Sequence, residues 1–246
     1  MAELNFPTEI VELPSKGLIY PKDNPLSSGK VEMKYMTAKE EDILTNQNYI
    51  RQGIVIDKLL QSLLITKFNY DDLLIGDKDA IMLSARILGY GKEYTFEYLG
   101  ESINIDLTLL QEKQLDESKL NSAHTNEFTF VLPHTDNTIT FKLLTQKDEK
   151  NIEAEIEGLK KINKEANTEL TTRLKHMILS VNGNYDQKSI REFVDNAFLA
   201  RDSRAFREYY NVINPGVNTK IKHEFIEGVE EDVNVQFGVN FFWPDV

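Results

Sequence analysis

Residues 31–41, VEMKYMTAKEE, and residues 139–149, ITFKLLTQKDE, align without a gap. Lys34, Thr37, Lys39 and Glu41 recur as Lys142, Thr145, Lys147 and Glu149, while Val31, Met33, Met36 and Glu40 are answered by Ile139, Phe141, Leu144 and Asp148. A chain that writes one pattern twice is expected to build one supersecondary unit twice. In each copy apolar residues alternate up to a threonine, which is strand periodicity. An acid then follows three residues on, the spacing of a helix capping box. A fainter pair lies further along: Asp77-Lys-Asp-Ala80 and Asp202-Ser-Arg-Ala205 each open an apolar helical pattern, and each pattern leads to alternating apolar residues around a glycine. The order strand, capped helix, further helices and hairpin is therefore expected twice. The fold class that follows is α+β, with two related lobes, each made of short antiparallel strands or hairpins packed on several amphipathic helices.

The expected boundaries are an N-terminal extended arm at 1–29, a first lobe at 30–110, a polar connector at 111–125 and a second lobe at 126–246 that ends in an aromatic tail. In the first lobe a helix capped by Thr37 is expected to reach about Tyr49. Val55, Leu59, Leu60 and Leu63 recur at helical spacing in a second helix. Asp77 is read as the cap of a third, closed by Gly89-Tyr90-Gly91. Tyr94, Phe96 and Tyr98, then Ile103, Ile105 and Leu107, alternate on either side of Gly100 as a hairpin. In the second lobe, strands around Phe128 and Ile139 lead to a helix carrying Ile152, Ile156 and Leu159. Leu170 through Val181 reads as one helix stopped by Asn182-Gly183, and Asp202 reads as the cap of the last long one. A hairpin around Gly228 closes the lobe.

Charge and composition narrow the function. With 40 acidic and 28 basic residues the formal charge is −12, which repels phosphate backbones and anionic lipid and argues against nucleic-acid or membrane partners. There is no cysteine, so disulfides, thiolate chemistry and cysteine-ligated zinc are excluded. No apolar run approaches the roughly 18 residues of a membrane helix, and the first residues lack the form of a secretory signal. A cytoplasmic protein is expected.

Catalytic chemistry has no visible seat. His124, His134, His176 and His223 share no helical metal-pair spacing. Gly89-x-Gly91 lies at a helix end, where it cannot aim N–H groups at a phosphate. Ser27-Ser-Gly-Lys30 matches S-x-x-K, but Gly29 and a strand follow where that motif needs a helix. Glu40-Glu41-Asp42 and Glu230-Glu231-Asp232 read as solvated faces rather than acid/base pairs. No catalytic, metal-ligating or cofactor-binding residue is expected.

Two segments stand out as candidate partner contacts. The arm holds Pro7, Pro14, Pro21 and Pro25, four of the seven prolines, which keep it extended or turning. It reads either as a strap on its own lobe or as a grip on a neighbouring subunit. Phe241, Phe242 and Trp243 lie at the chain end, where they are either docked in the core or held by a partner. The candidate partner-binding residues are Leu13, Pro14, Gly17, Tyr20, Pro21, Phe241, Phe242 and Trp243.

Four stretches taken together resemble a known family. They are Leu13-Pro-Ser-Lys-Gly17-Leu-Ile-Tyr20-Pro21, Met36-Thr-Ala-Lys-Glu-Glu-Asp-Ile-Leu44, Asp79 through Arg86 to Tyr90-Gly91, and Phe241-Phe242-Trp243-Pro244. The pattern is similar to the baseplate hub subunit family of T-even-type contractile-tailed bacteriophages, over nearly the whole chain. The resemblance implies a non-enzymatic tail protein that contacts other baseplate and hub proteins. It would assemble in the host cytoplasm and reside in the virion tail baseplate. A transient assembly chaperone, absent from the mature virion, is the alternative within that reading. Some relatives carry cysteine pairs in their hairpins in the manner of a zinc ribbon. The matching stretches here, Tyr98-Leu-Gly100-Glu-Ser and Phe225-Ile-Glu-Gly228-Val, have none, so aromatic and β-branched packing must hold them. A hydrolase or transferase with a site gathered from distant residues is the alternative from another class, supported only by scattered carboxylates and histidines.

Overall fold

The computed structural model describes residues 7–162, 167–225, 228 and 230–242. Strand β1 (Thr8–Glu12) pairs antiparallel with β2 (Lys30–Lys34), Val11 facing Val31. Helices α1 (Ala38–Leu44), α2 (Gln47–Arg51), α3 (Val55–Leu63) and α4 (Ile75–Tyr90) follow, and β3 (Glu93–Tyr98) with β4 (Glu101–Asp106) forms the expected hairpin. The helix expected from Thr37 to Tyr49 is two helices. Asn46 Oδ1 accepts the N–H groups of Asn48 and Tyr49 and so starts a new helix instead of continuing the old one.

After a short strand β5 (Glu112–Lys113), the second lobe runs β6 (Phe128–Val131), β7 (Thr138–Phe141), α5 (Gln146–Ile162), α6 (Glu169–Met177) and β8 (Ile178–Val181). It continues through α7 (Gln187–Asn196), α8 (Ala200–Ile213), β9 (Gly216–Val217), β10 (Lys220–Glu224), β11 (Glu230–Asn234) and α9 (Val239–Phe242). The single helix expected at 170–181 is corrected: it ends at Met177. Ile178 to Val181 alternate buried and half-buried and complete a β6–β7–β8 sheet against Ile139 and Thr140. Both readings bury these apolar residues; the open edge of β7 decides for the strand.

The duplication is deeper than the aligned residues. Leu13-Pro14 after β1 and Leu132-Pro133 after β6 both turn the chain, Lys16 N–H donating to Leu13 O and Asp136 N–H to Leu132 O. Lys16 and Asp136 take the same left-handed conformation, φ 53° and 55°. Helices α3 and α6 both run straight into an extended residue, Leu64 (φ −70°, ψ 122°) and Ile178 (φ −77°, ψ 126°), each laid against the second strand of its lobe. Leu74 and Leu199 precede α4 and α8 with nearly one geometry, φ −62°, ψ 147° and φ −59°, ψ 143°.

The lobes meet where α4 begins. Ile75 N–H donates to Leu144 O at 3.1 Å and Gln146 N–H to Leu73 O at 2.8 Å. Gly76 approaches Pro215 so closely that a Cβ there would lie 1.8 Å from the Pro215 carbonyl oxygen. Strand β5, from the connector, pairs with β9 of the second lobe, while Leu115 N–H reaches back to Pro14 O. Buried apolar residues from Val11 to Phe242 form one contiguous core across both lobes.

Candidate functional site

The arm is built around a buried carboxylate. Asp77 in the first turn of α4 accepts from Ser15 N–H (2.9 Å), Ser15 Oγ–H (2.6 Å) and the Tyr20 hydroxyl (2.6 Å), all buried. Tyr20 in turn accepts the Leu74 N–H at 3.0 Å, so the arm rather than a cap residue satisfies the start of the helix. Burial pushes the Asp77 carboxyl up against the pull of its donors; burial and Asp77 push the Tyr20 phenol well up. The connector closes over the outside, with His124 N–H on Leu18 O and its Nδ1 3.0 Å from Tyr20 O. Gly17 has φ +75°, and a Cβ there would stand 2.4 Å from Ser27 O, so only glycine fits where the two limbs of the arm cross.

Asp202 repeats the arrangement in α8. It accepts from His134 N–H at 2.9 Å and from Thr135 Oγ1–H at 2.8 Å, on the loop that matches the arm. Asp77 and Asp202 are thus not helix caps, as their spacing predicts. Each is fully buried inside the first turn and ties the preceding hairpin loop to a helix.

The caps themselves are ion-paired. Glu40 accepts from Thr37 N–H (3.0 Å), Thr37 Oγ1–H (2.6 Å), Lys34 Nζ (2.7 Å) and Ser62 Oγ–H (2.8 Å). Asp148 accepts from Thr145 N–H (3.1 Å), Thr145 Oγ1–H (3.0 Å) and Lys142 Nζ (2.6 Å). Burial alone would raise Glu40, but its donors outweigh it and hold the group down at about 2. Glu40 is consequently no part of a solvated acidic face, whereas Glu41, Asp42, Glu230, Glu231 and Asp232 are exposed.

The expected contact residues lie mostly inside the molecule. Leu13, Pro14, Gly17 and Tyr20 are buried and Pro21 is exposed. Phe241 and Phe242 have no exposed surface. Phe241 packs edge-on against Tyr94 at 5.0 Å and lies tilted against Phe237 at 4.6 Å, and its carbonyl accepts from Arg86 Nε at 2.9 Å. Trp243 lies outside the described residues. The arm is therefore a strap on its own chain. Leu13, Pro14, Gly17, Tyr20, Phe241 and Phe242 are buried within the chain, and Pro21 alone of the described set is presented to solvent.

The tips of the two lobes' hairpins converge. The Tyr98 and Phe225 rings stand 6.1 Å apart, Phe225 meets His223 edge-on at 4.9 Å, and His223 Nε2 is 3.5 Å from Glu101 Oε2. Aromatic contacts thus join the tips. The other histidines are dispersed: His176 bonds Glu155 at 3.0 Å, and His134 contributes only its backbone N–H above. Among the described residues no three potential ligands gather as a metal site.

Ser15, Ser62, Asp77, Arg86 and Asp202 do the joining; sequence patterning marks Asp77 and Asp202 as helix starts but does not show what they join. One signal was available for two of them: Leu-Pro recurs before each arm-like loop, and each loop needs its own anchor on a helix. No family model, curated protein or solved structure matches this chain.

Proposed function

We propose that the protein is a non-enzymatic tail component of a contractile-tailed phage, a baseplate hub subunit that joins other hub proteins. What carries this reading is the use to which the residues of the resemblance are put. Leu13 to Tyr20 wraps Asp77, Thr37 and Glu40 cap α1 against Lys34, Arg86 ties α4 to the final helix, and Phe241 with Phe242 plugs the core. Every one of these positions serves rigidity, and none gathers a nucleophile, base and oxyanion donors as catalysis requires. A rigid, pre-formed body loses little freedom when it is bound, which favours association through fixed surfaces.

Quantitative mass spectrometry of purified mature particles beside isolated assembly intermediates tests the proposal. A fixed copy number in mature tails is the expected result. Presence in intermediates alone makes the protein an assembly chaperone, and absence from both overturns the tail reading.

A further inference from the structure

The hairpins carry main-chain groups that neither lobe uses. Leu107 N–H donates to Lys92 O at 2.8 Å. With the β3–β4 register this places the hydrogen-bonded pairs at 101, 103 and 105, and it turns the N–H and C=O of Ser102, Asn104 and Asp106 away from β3. Val235 N–H donates to Thr219 O at 2.9 Å, so in β10 the pairs fall at 219, 221 and 223 and Lys220, Lys222 and Glu224 point away from β11.

Both outward edges open onto one cleft of about 730 Å³, walled by residues 103–106 of β4 and 220–223 of β10. Successive side chains of a strand face opposite sides, so a wall made of consecutive residues is an edge and not a face. The walls touch at both ends. Glu101 and His223 meet at one, and Asn218 N–H donates to Gln111 O at 2.8 Å at the other. Between these points β4 and β10 belong to separate sheets. Among the described residues the outward groups of Asn104 and Lys222 make no main-chain hydrogen bond, the Asp106 carbonyl begins the short 3-10 turn at 107–109, and Lys220 N–H is taken by Asn218 Oδ1 at 3.2 Å.

We propose that this cleft binds a short extended segment of a partner protein by strand addition, with apolar side chains alternating with acidic ones. Free N–H and C=O groups at strand spacing select another main chain, the chemistry of edge-strand recognition. Half-buried Ile105 and Ile221 in the walls, with the exposed Leu109 beside them, provide the apolar seat for alternate side chains. Cations line the cleft of an acidic protein: Lys220 and Lys222 are exposed there, Lys222 Nζ also lying 3.0 Å from Glu230, while the cleft's carboxylate, Asp106, is held by Lys92 at 2.6 Å. Four wall residues span about 13 Å, so the bound core is about four residues long. The inference rests on the cleft and is independent of the tail reading.

The test uses the full chain, isotopically labelled for amide NMR, and an acetylated, amidated hexapeptide of alternating Glu and Val as probe. Expected are shifts confined to 102–106 and 218–224, lost when alternate peptide amides are N-methylated on the hydrogen-bonding edge. Compared with Lys222→Ala, which also lacks the ammonium, Lys222→Pro removes one outward donor and leaves the inward ladder intact; it should bind about tenfold more weakly than Lys222→Ala, one hydrogen bond's worth. Should that variant unfold, the N-methylated peptides still decide the matter. No saturable shifts, shifts elsewhere, or equal binding after N-methylation on either edge would each overturn strand addition. Concentration-dependent shifts of the same amides without peptide would give the cleft to a second copy of the chain and overturn it as stated.

Discussion

Burial acts in one direction on Asp79 and Glu40, and their partners decide the outcome. Asp79, half-buried on α4, is pushed up by burial to about 6; Lys78 pulls it back and Asp77 adds to the rise. Its folded value lies above its unfolded one, so it favours the fold when protonated, and that contribution is lost as pH rises through 6. Asp79→Asn should therefore raise the unfolding midpoint at pH 7.5 by the equivalent of about 1–2 kcal/mol, and leave it unchanged below pH 4. Glu40 and Glu155 run the other way. Glu155 is held at about 2, first by Arg191 and against burial, with His176 adding a further bond. Both favour the fold when ionised, in full above about 4.5, and lose that contribution as pH falls towards 2. Arg191→Ala should flatten the acid limb of a stability–pH profile between 4.5 and 2, read by urea unfolding at several pH values, and a profile identical to the parent's would refute the pairing.

Elements were legible in proportion to how local their causes are. Thr37 and Glu40, or Tyr98 and Glu101 around Leu99-Gly100, lie a few residues apart, and the capped helix and the hairpin follow from that spacing alone. Asp77 finds Ser15 at a sequence separation of 62, and Asp202 finds Thr135 at one of 67. No periodicity encodes such a meeting, so both acids looked like ordinary caps. The break at Ile178 was hidden for a related reason, since only the free edge of β7 makes a strand preferable to another helical turn. The candidate contact residues are conspicuous in the sequence, and the structure buries Leu13, Pro14, Gly17, Tyr20, Phe241 and Phe242, with Gly17 at the crossing of the arm. At this scale the repeated caps make a paired prediction. Thr37→Ala and Thr145→Ala should each cost about 1 kcal/mol, as lost caps do. Lys34→Ala should cost more, about 2 kcal/mol, because it leaves the fully buried Glu40 without its cation. Chemical denaturation of the three variants measures this, and an order reversed between Lys34 and Thr37 would mean that the hydroxyl, not the ion pair, carries the cap.

Two related lobes need not fold as one, and the whole molecule turns on whether these do. Each has its own hairpin loop, capped helix and buried aspartate, which favours independence. Against that stand the shared core, the backbone bonds from 73–75 to 144–146, and the contact of Gly76 with Pro215, which leaves no room for a side chain. That contact is backbone on backbone, so neither partner can rotate away, and Gly76→Ala must part the lobes or distort α4. Overpacking of this kind costs about 1–3 kcal/mol. Hydrogen exchange under mild denaturant, followed at β2 and at β7, separates the two pictures. If the lobes form one cooperative unit, Gly76→Ala lowers the opening free energy of both strands by the same amount. If they are independent, the strand in the lobe distorted by the substitution loses protection alone and the other keeps its own. The single core and the doubly bonded junction make the first outcome the expected one, and a rigid body of two fused lobes would then be the unit that any assembly handles.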